Sequence, residues 1–327
     1  MSGRPYMVPL VILRTRPCRW FSAGGCVMCN YELLAIDEGV SDDDVLEQAR
    51  AAIAQLGDLS NYPYLLLTSQ GSFLDDEEVP SALRTEILQM FWRAGLRAVS
   101  TESEARYCLD RQRLSAIKDA FPGRFSVGIG LEAADDYIRN VVINKGLPEH
   151  MFVAAAESLG YSGIGFYTYV SLGKPFLSHE EDLRDAVNAI EMTFKHGGFM
   201  AVVEMINIQP HTLTHRLWEA GEYKPCNLRL GIDVLRALDP ELRAAVSIKG
   251  FDADISPIPV ALPSSCSACD AGVRKALNEW NLNRDFDALV AAAGKCFCHP
   301  AAVESPASSN IGQRVSETLK RLFPELI

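Results

Sequence analysis

The sequence lacks an apolar stretch long enough to cross a membrane, and it lacks any excess of basic charge. Its first apolar run, Met7–Leu13, is too short for a span and has no cleavage site after it, so we expect no signal peptide and a cytoplasmic location. Lys and Arg number 31 against 42 Asp and Glu, a formal net charge of -11. Because such a chain repels phosphate backbones, a nucleic-acid partner is unlikely on charge alone.

Cysteine, by contrast, is plentiful, with nine residues in a chain of 327. Thiols stay reduced in the cytoplasm, so these cysteines are better interpreted as metal ligands or reactive groups than as disulfides. Hydrophobic residues make up 48% of the chain, which is enough for a large buried core in one large domain or two ordinary ones.

Apolar runs typical of strands alternate with amphipathic segments typical of helices. The strand candidates are Val8–Arg14, Tyr64–Thr68, Leu96–Glu102, Phe125–Glu132, Gly163–Leu172 and Phe199–Ile208, and the helix candidates between them include Glu77–Ala94, Glu104–Ala120, Glu149–Leu159 and His179–Lys195. Six such units predict an α/β fold, a partial (βα)6 TIM-type barrel over residues 1–250. A Pro- and Ser-rich stretch then leads into a small C-terminal domain, 251–327, with four cysteines.

The stretch "CRWFSAGGCVMCNY" places Cys18, Cys26 and Cys29 on a loop after the first strand, where barrel enzymes collect their chemistry. A structural zinc site needs four ligands, whereas three thiolates on a cubane iron–sulfur cluster leave one iron open to another ligand. Glycines 24 and 25 would let the loop wrap a cluster. On spacing alone, a zinc knuckle remains an alternative.

With these residues the chain resembles the radical SAM (S-adenosylmethionine) superfamily, nearest the branch of the archaeosine synthase radical SAM subunit and the Elongator catalytic subunit. C-x7-C-x2-C is typical of that branch, and "TSQGSFLDDEEVP", "VSTESEAR" and "VGIGLEAADDYIRNVVINKG" are similar to its later motifs. The resemblance covers roughly residues 8–250. It implies a SAM-binding [4Fe–4S] cluster on the three cysteines and an enzyme that cleaves SAM reductively to a 5′-deoxyadenosyl radical.

Seven residues near the predicted strand ends are candidates for binding SAM. Backbone groups of Gly71 and Ser72 can bind the methionine ammonium, Glu102 and Glu132 can accept from the ammonium or the ribose hydroxyls, and Tyr31 can lie along adenine. Asn144 and Lys145 can contact the SAM carboxylate or a substrate. The alternatives are an ordinary turn for Gly71 and Ser72, a solvated or capping carboxylate for the two glutamates, plain packing for Tyr31, and a surface loop for Asn144 and Lys145.

Four further residues are catalytic candidates on the substrate side. Tyr167 and Tyr169 share one face of strand five by its period of two, and core packing with their hydroxyls at the rim is the alternative. Glu204 lies within an apolar strand, where a carboxylate is costly unless it has a function or a partner. Cys226 is a candidate hydrogen-atom donor or cluster ligand, with a plain buried cysteine as the alternative.

The tail holds a second cysteine set, C-x2-C-x26-C-x-C, formed by Cys266, Cys269, Cys296 and Cys298. It predicts either a second, auxiliary [4Fe–4S] cluster or a structural zinc (Zn) ion, and we favour the cluster because CxC is unusual in zinc ribbons.

The substrate is predicted only by class. We expect a small nucleotide-like metabolite, with hydrogen abstraction and possible sulfur insertion from the auxiliary cluster, and a flavodoxin or ferredoxin-type reductant. One alternative is an archaeosine-synthase-like radical lyase acting on a modified tRNA base. Another is a non-catalytic zinc protein.

Overall fold

Seven short strands form one parallel sheet whose order follows the sequence. They are β1 Leu10–Leu13, β2 Leu65–Ser69, β3 Ala98–Glu102, β4 Arg124–Glu132, β5 Gly165–Leu172, β6 Ala201–Met205 and β7 Val246–Lys249. Every neighbouring pair is parallel, and within the described residues β1 and β7 pair on one side only. The sheet is therefore an open barrel, which confirms the predicted α/β partial barrel and adds one strand to it.

The computed structural model describes residues 8–30, 40–69, 71–252, 258–294, 298 and 310–324. In these ranges no helix combines the length and apolar character that crossing a bilayer requires.

Helices follow most strands. They are α1 Arg19–Ser22, α2 Asp42–Leu56, α3 Ser81–Arg93, α4 Arg111–Ala120, α5 Glu149–Tyr161, α6 His179–Lys195, α7 Leu213–Glu219, α8 Arg229–Ala237, α9 Pro240–Arg243, α10 Asp270–Asn283, α11 Phe286–Ala292 and α12 Ile311–Leu322. Helix α6 begins and ends as predicted because a capping box between Ser178 and Glu181 fixes its first turn. Helix α4 begins later than predicted, since the 3₁₀ turn Ala105–Cys108 precedes it.

Side chains of β5 alternate between the outer helices and the concave face of the sheet. Phe166 packs edge-on against Phe152 of α5, with ring centroids 6.1 Å apart, and Thr168 bonds to Thr193 of α6 at 2.6 Å. By the period of two, the intervening tyrosines lie on the opposite, concave face, which we call the lumen.

The tail beyond residue 250 packs against the last strand. Trp280 of α10 is buried and donates from Nε1 to the carbonyl of Val246 at 3.1 Å. Val273 and Leu277 of the same helix belong to the core that includes the strands. The predicted boundary falls directly after β7, and a division into domains 1–250 and 251–327 stays a prediction.

Candidate active site

The three-cysteine loop follows β1 at the carboxyl edge of the sheet. Cys18 is the N-cap residue of α1, and Gly24 and Gly25 reverse the chain with φ values of 123° and 63° that favour glycine. The amide of Cys29 donates to the carbonyl of Cys26 at 3.0 Å, which closes the C-x2-C turn. The local sequence thus folds the loop back on itself so that its thiols share one patch of the molecule.

The three thiols are close enough for their charges to influence the pKa of Cys26. Burial raises the pKa of Cys18 to about 11 and that of Cys26 to about 12, and the charges of Cys18 and Cys29 each raise the pKa of Cys26 further. Lys145 acts on Cys26 in the opposite direction. A coordinated metal deprotonates such thiols outright. Three thiols on one loop are a donor set that fits an iron–sulfur cluster with three protein ligands, and their assignment as its ligands stays a prediction.

The turn after β2 lies against this loop. Glu78 accepts from the backbone amide of Arg19 at 3.0 Å and from the amide of Ser72. A Cβ atom on Gly71 would lie 2.9 Å from the Cα atom of Cys18, so only glycine permits this approach. Burial raises the pKa of Glu78 to about 7. The predicted pair Gly71 and Ser72 therefore meets the cysteine loop, and Glu78 connects the two.

Glu78 and its neighbour Glu104 were missed at the sequence level. Glu104 lies 3.8 Å from the sulfur of Cys18 and pairs with Arg106 at 2.7 Å. The acidic run "DDEE" beside the glycine turn was the available signal for Glu78, but its loop conformation decides which carboxylate turns inward.

Glu102 and the two tyrosines form one hydrogen-bonded group in the lumen. Glu102, at the end of β3, accepts from the hydroxyls of Tyr169 and Thr68. The hydroxyls of Tyr167 and Tyr169 lie 3.3 Å apart. Gly128 of β4 makes room for them, because a Cβ atom there would lie 2.6 Å from the Tyr167 ring. The structure therefore brings together three residues that the sequence assigned to different roles.

Glu132 and Lys145 form a second lumen group. Glu132 has a φ of 66°, a strained conformation for this residue, and accepts from Ser171 at 2.6 Å. Its other oxygen lies 3.4 Å from the ammonium of Lys145. Burial alone would lower the pKa of Lys145, but the charges of Cys26 and Glu132 more than offset it and raise the pKa. Lys145 thus links the cysteine loop to the lumen.

Asn144 supports the loop. Its Nδ2 donates to the carbonyl of Gly25 at 2.7 Å, and its own carbonyl accepts from Nε1 of Trp20 at 2.8 Å. These contacts brace the loop at its glycine turn.

Glu204 brings a third carboxylate to the lumen. It lies on β6 in register with Lys249 of β7. Burial raises the pKa of Glu204 to about 8; Lys249 opposes this, and Glu132 and Glu102 add to it. Lys249 was not predicted because β7 itself was not.

Cys226 lies at the rim beyond β5. Its sulfur is 3.9 Å from the carbonyl of Leu172, and it packs on Gly173, where a Cβ atom would approach within 2.9 Å. Burial raises its pKa strongly. Its predicted role in hydrogen transfer stays a prediction. Tyr31 and Cys296 lie outside the described residues.

The other three tail cysteines lie close together. The sulfur of Cys269 is 3.6 Å from that of Cys266 and 3.2 Å from that of Cys298. Among the described residues, they form the one group of three potential metal ligands whose donor atoms all lie within 4.8 Å of one another.

Comparisons with known proteins agree with this geometry. The chain is 29% identical over 290 residues to archaeosine synthase subunit beta of Methanosarcina acetivorans, across 88% of this chain and 82% of that protein. It is 28% identical over 240 residues to archaeosine synthase subunit beta of Thermococcus kodakarensis, across 72% and 73% of the two chains. No protein-family model matches the chain.

Among solved structures, methylornithine synthase (PylB) has the same fold, with a TM-score of 0.55 at 14% identity over 88% of this chain and 87% of that one. With its three-cysteine loop at the carboxyl edge of an open parallel barrel, the chain is similar in sequence to archaeosine synthase subunit beta and in fold to methylornithine synthase.

Proposed function

We propose that the chain is a radical lyase of the archaeosine-synthase type, which takes a hydrogen atom from a lysine-bearing tRNA base. The observation that supports this most is the set of three carboxylates, Glu102, Glu132 and Glu204, at or near the carboxyl ends of strands β3, β4 and β6. Carboxylates on the low-dielectric wall of a barrel attract ammonium groups strongly. SAM carries one such group and a lysine-bearing base carries others.

Each part of the site has a role in this proposal. A [4Fe–4S] cluster on Cys18, Cys26 and Cys29 would supply, with SAM, the one-electron cleavage that yields the radical. The amide of Ser72 already donates to Glu78. An ammonium group can only donate, so at this turn it would be bound by backbone carbonyl oxygens.

The lumen residues would then position the substrate. Glu102, with Tyr169 bound to it, would orient a hydroxyl or ammonium group at the end of β3. Lys145 would hold a carboxylate beside Glu132. Tyr167 and Tyr169 would wall off water from the reacting carbon.

A second substrate class is favoured by the charge of the chain. A net charge of -11 opposes a polyanion, and a free nucleotide-like metabolite avoids this cost. Both versions use the same radical chemistry, a flavodoxin or ferredoxin-type reductant and a cytoplasmic location. The tRNA version also calls for a partner enzyme that attaches the lysine.

The test is an anaerobic assay with dithionite, SAM and one of three substrates: tRNA with the lysine-bearing base, the same tRNA without lysine, and the free lysine-bearing nucleoside. We expect 5′-deoxyadenosine and a change in the mass of the base with the first substrate only. Binding should then fall steeply with salt. Turnover of the free nucleoside, with no tRNA retained at low salt, would replace the tRNA version with the metabolite version.

A further inference from the structure

We propose that the tail thiols of Cys266, Cys269 and Cys298 are three of the four ligands of a single tetrahedral metal ion, zinc, and do not bind a second iron–sulfur cluster. Two zinc–thiolate bonds of about 2.3 Å at a tetrahedral angle set their sulfurs about 3.8 Å apart. The distances here are 3.6 and 3.2 Å. Both are far longer than a disulfide bond of about 2.05 Å, so these contacts are not covalent.

A cubane cluster requires a wider arrangement of sulfurs. Each cysteine ligand of a cubane binds a different iron, so two ligand sulfurs are separated by two Fe–S bonds and the distance between two irons. The tail thiols are closer than this, because their three sulfurs all lie within 4.8 Å of one another, whereas Cys18, Cys26 and Cys29 do not form such a group. The spacing of the tail set therefore suits a single ion.

The backbone around the tail site suits thiolate ligands. Cys269 caps the N-terminus of α10, a 14-residue helix whose dipole favours negative charge there. The amides of Cys269 and Asp270 both donate to the carbonyl of Cys266 at 2.9 Å, which forms the tight turn of a zinc knuckle. The turn from Cys266 to Cys269 therefore forms the knuckle and leads directly into the first turn of α10.

Outer groups hold the ligands in place. Nδ2 of Asn227 donates to the carbonyl of Cys298 at 2.9 Å, and the hydroxyl of Ser265 donates to Oδ1 of Asn227 at 3.0 Å. The guanidinium of Arg229 bonds to the sulfurs of Cys269 and Cys298. A positive charge beside the thiolates compensates the net negative charge of zinc with three or more thiolates, as outer groups do in metal sites.

The ion would join the tail to the rim of the barrel. Asn227 and Arg229 follow Cys226, which packs on Gly173 just beyond β5. Zinc has no redox chemistry and holds no sulfide to donate, so this site fixes the rim and supplies no sulfur to a substrate. Sulfur insertion from an auxiliary cluster is then not open to this chain.

Metal analysis of the anaerobically purified full-length chain tests the proposal. We expect about four irons and about one zinc per chain. Cys266→Ser with Cys269→Ser should lose the zinc and keep the iron and its electron paramagnetic resonance signal. Cys18→Ser is the matched variant, and it should lose iron and keep zinc. X-ray absorption at the zinc edge of the unmodified chain should show sulfur neighbours at about 2.3 Å, and it does not depend on any variant folding.

About eight irons without zinc, or zinc with no sulfur neighbours, would overturn the proposal. The result is independent of the substrate proposed above, because metal counts and absorption spectra need no turnover.

Discussion

Glu204 predicts a specific dependence of stability on pH. Its carboxyl has a pKa of about 8 in the folded chain, against 4.5 without burial. Because folding raises this pKa, the contribution of the protonated carboxyl to the free energy of unfolding is fully present below pH 4.5. It is lost as the pH rises towards 8. At about 1.4 kcal/mol per pH unit the full loss is at most about 5 kcal/mol. Because Glu204 is only partly buried and water screens it, we expect about 2 kcal/mol.

The perturbation is Glu204→Gln, which keeps the shape of the protonated acid and removes its titration. Urea unfolding at pH 5.5 and pH 8.5 should show the variant gaining about 2 kcal/mol on the unmodified chain between the two values. Glu86→Gln, on the exposed face of α3, is the control and should gain nothing. Equal pH dependence in the unmodified chain and in Glu204→Gln would refute the assignment of a half-buried carboxyl with a raised pKa to the lumen.

Three further changes test the site. Glu78→Gln should weaken SAM binding by about 1–3 kcal/mol in equilibrium titration, because the NH₂ group of the new side chain would face one of the two backbone N–H donors, Arg19 and Ser72. The exposed neighbour is the control, and Glu77→Gln should change SAM binding little. Equal effects would contradict the role of Glu78. Gly128→Ala should lower the free energy of unfolding by about 1–3 kcal/mol, because the added methyl group overpacks the lumen. Gly160 has open space around it, so Gly160→Ala should be neutral or stabilising. Equal effects of the two changes would count against the packing described. Tyr169→Phe should lower the rate of 5′-deoxyadenosine formation while retaining the cluster absorbance, and an unchanged rate would leave its hydroxyl without a catalytic part.

The strands that position the site could be predicted because each is an apolar run bounded by helix-forming segments. Strand β7 could not, since its four residues, VSIK, mix polar and apolar side chains, whereas the equally short β1, LVIL, is apolar throughout. Helix α6 was predicted to the residue because its capping box is written in the local sequence. The rule that parallel strands end at one edge was enough to place Glu102 and Glu132 on the same side of the barrel, whereas Glu204 was singled out as a carboxylate within an apolar strand.

Contacts made by loops were beyond the sequence. That Glu78 turns inward and Glu77 outward depends on the conformation of a turn, which has no periodic signal. The contact of Asn144 with SAM or a substrate stays a prediction, and the hydrogen bond of its side chain to Gly25 of the cysteine loop could not be predicted. The CxC spacing in the tail favoured a cluster, while the distance between sulfurs is set by how α10 and the residues after Cys226 bring distant cysteines together.

The central claim is that three loop thiolates leave one iron open for SAM, and one measurement tests it most directly. Electron paramagnetic resonance of the dithionite-reduced chain is recorded with and without SAM. The account predicts a [4Fe–4S] signal that SAM shifts, in the unmodified chain and in Cys266→Ser with Cys269→Ser alike, and no such signal in Cys26→Ala. A cluster signal that SAM leaves unchanged, or one that survives loss of Cys26, would contradict it.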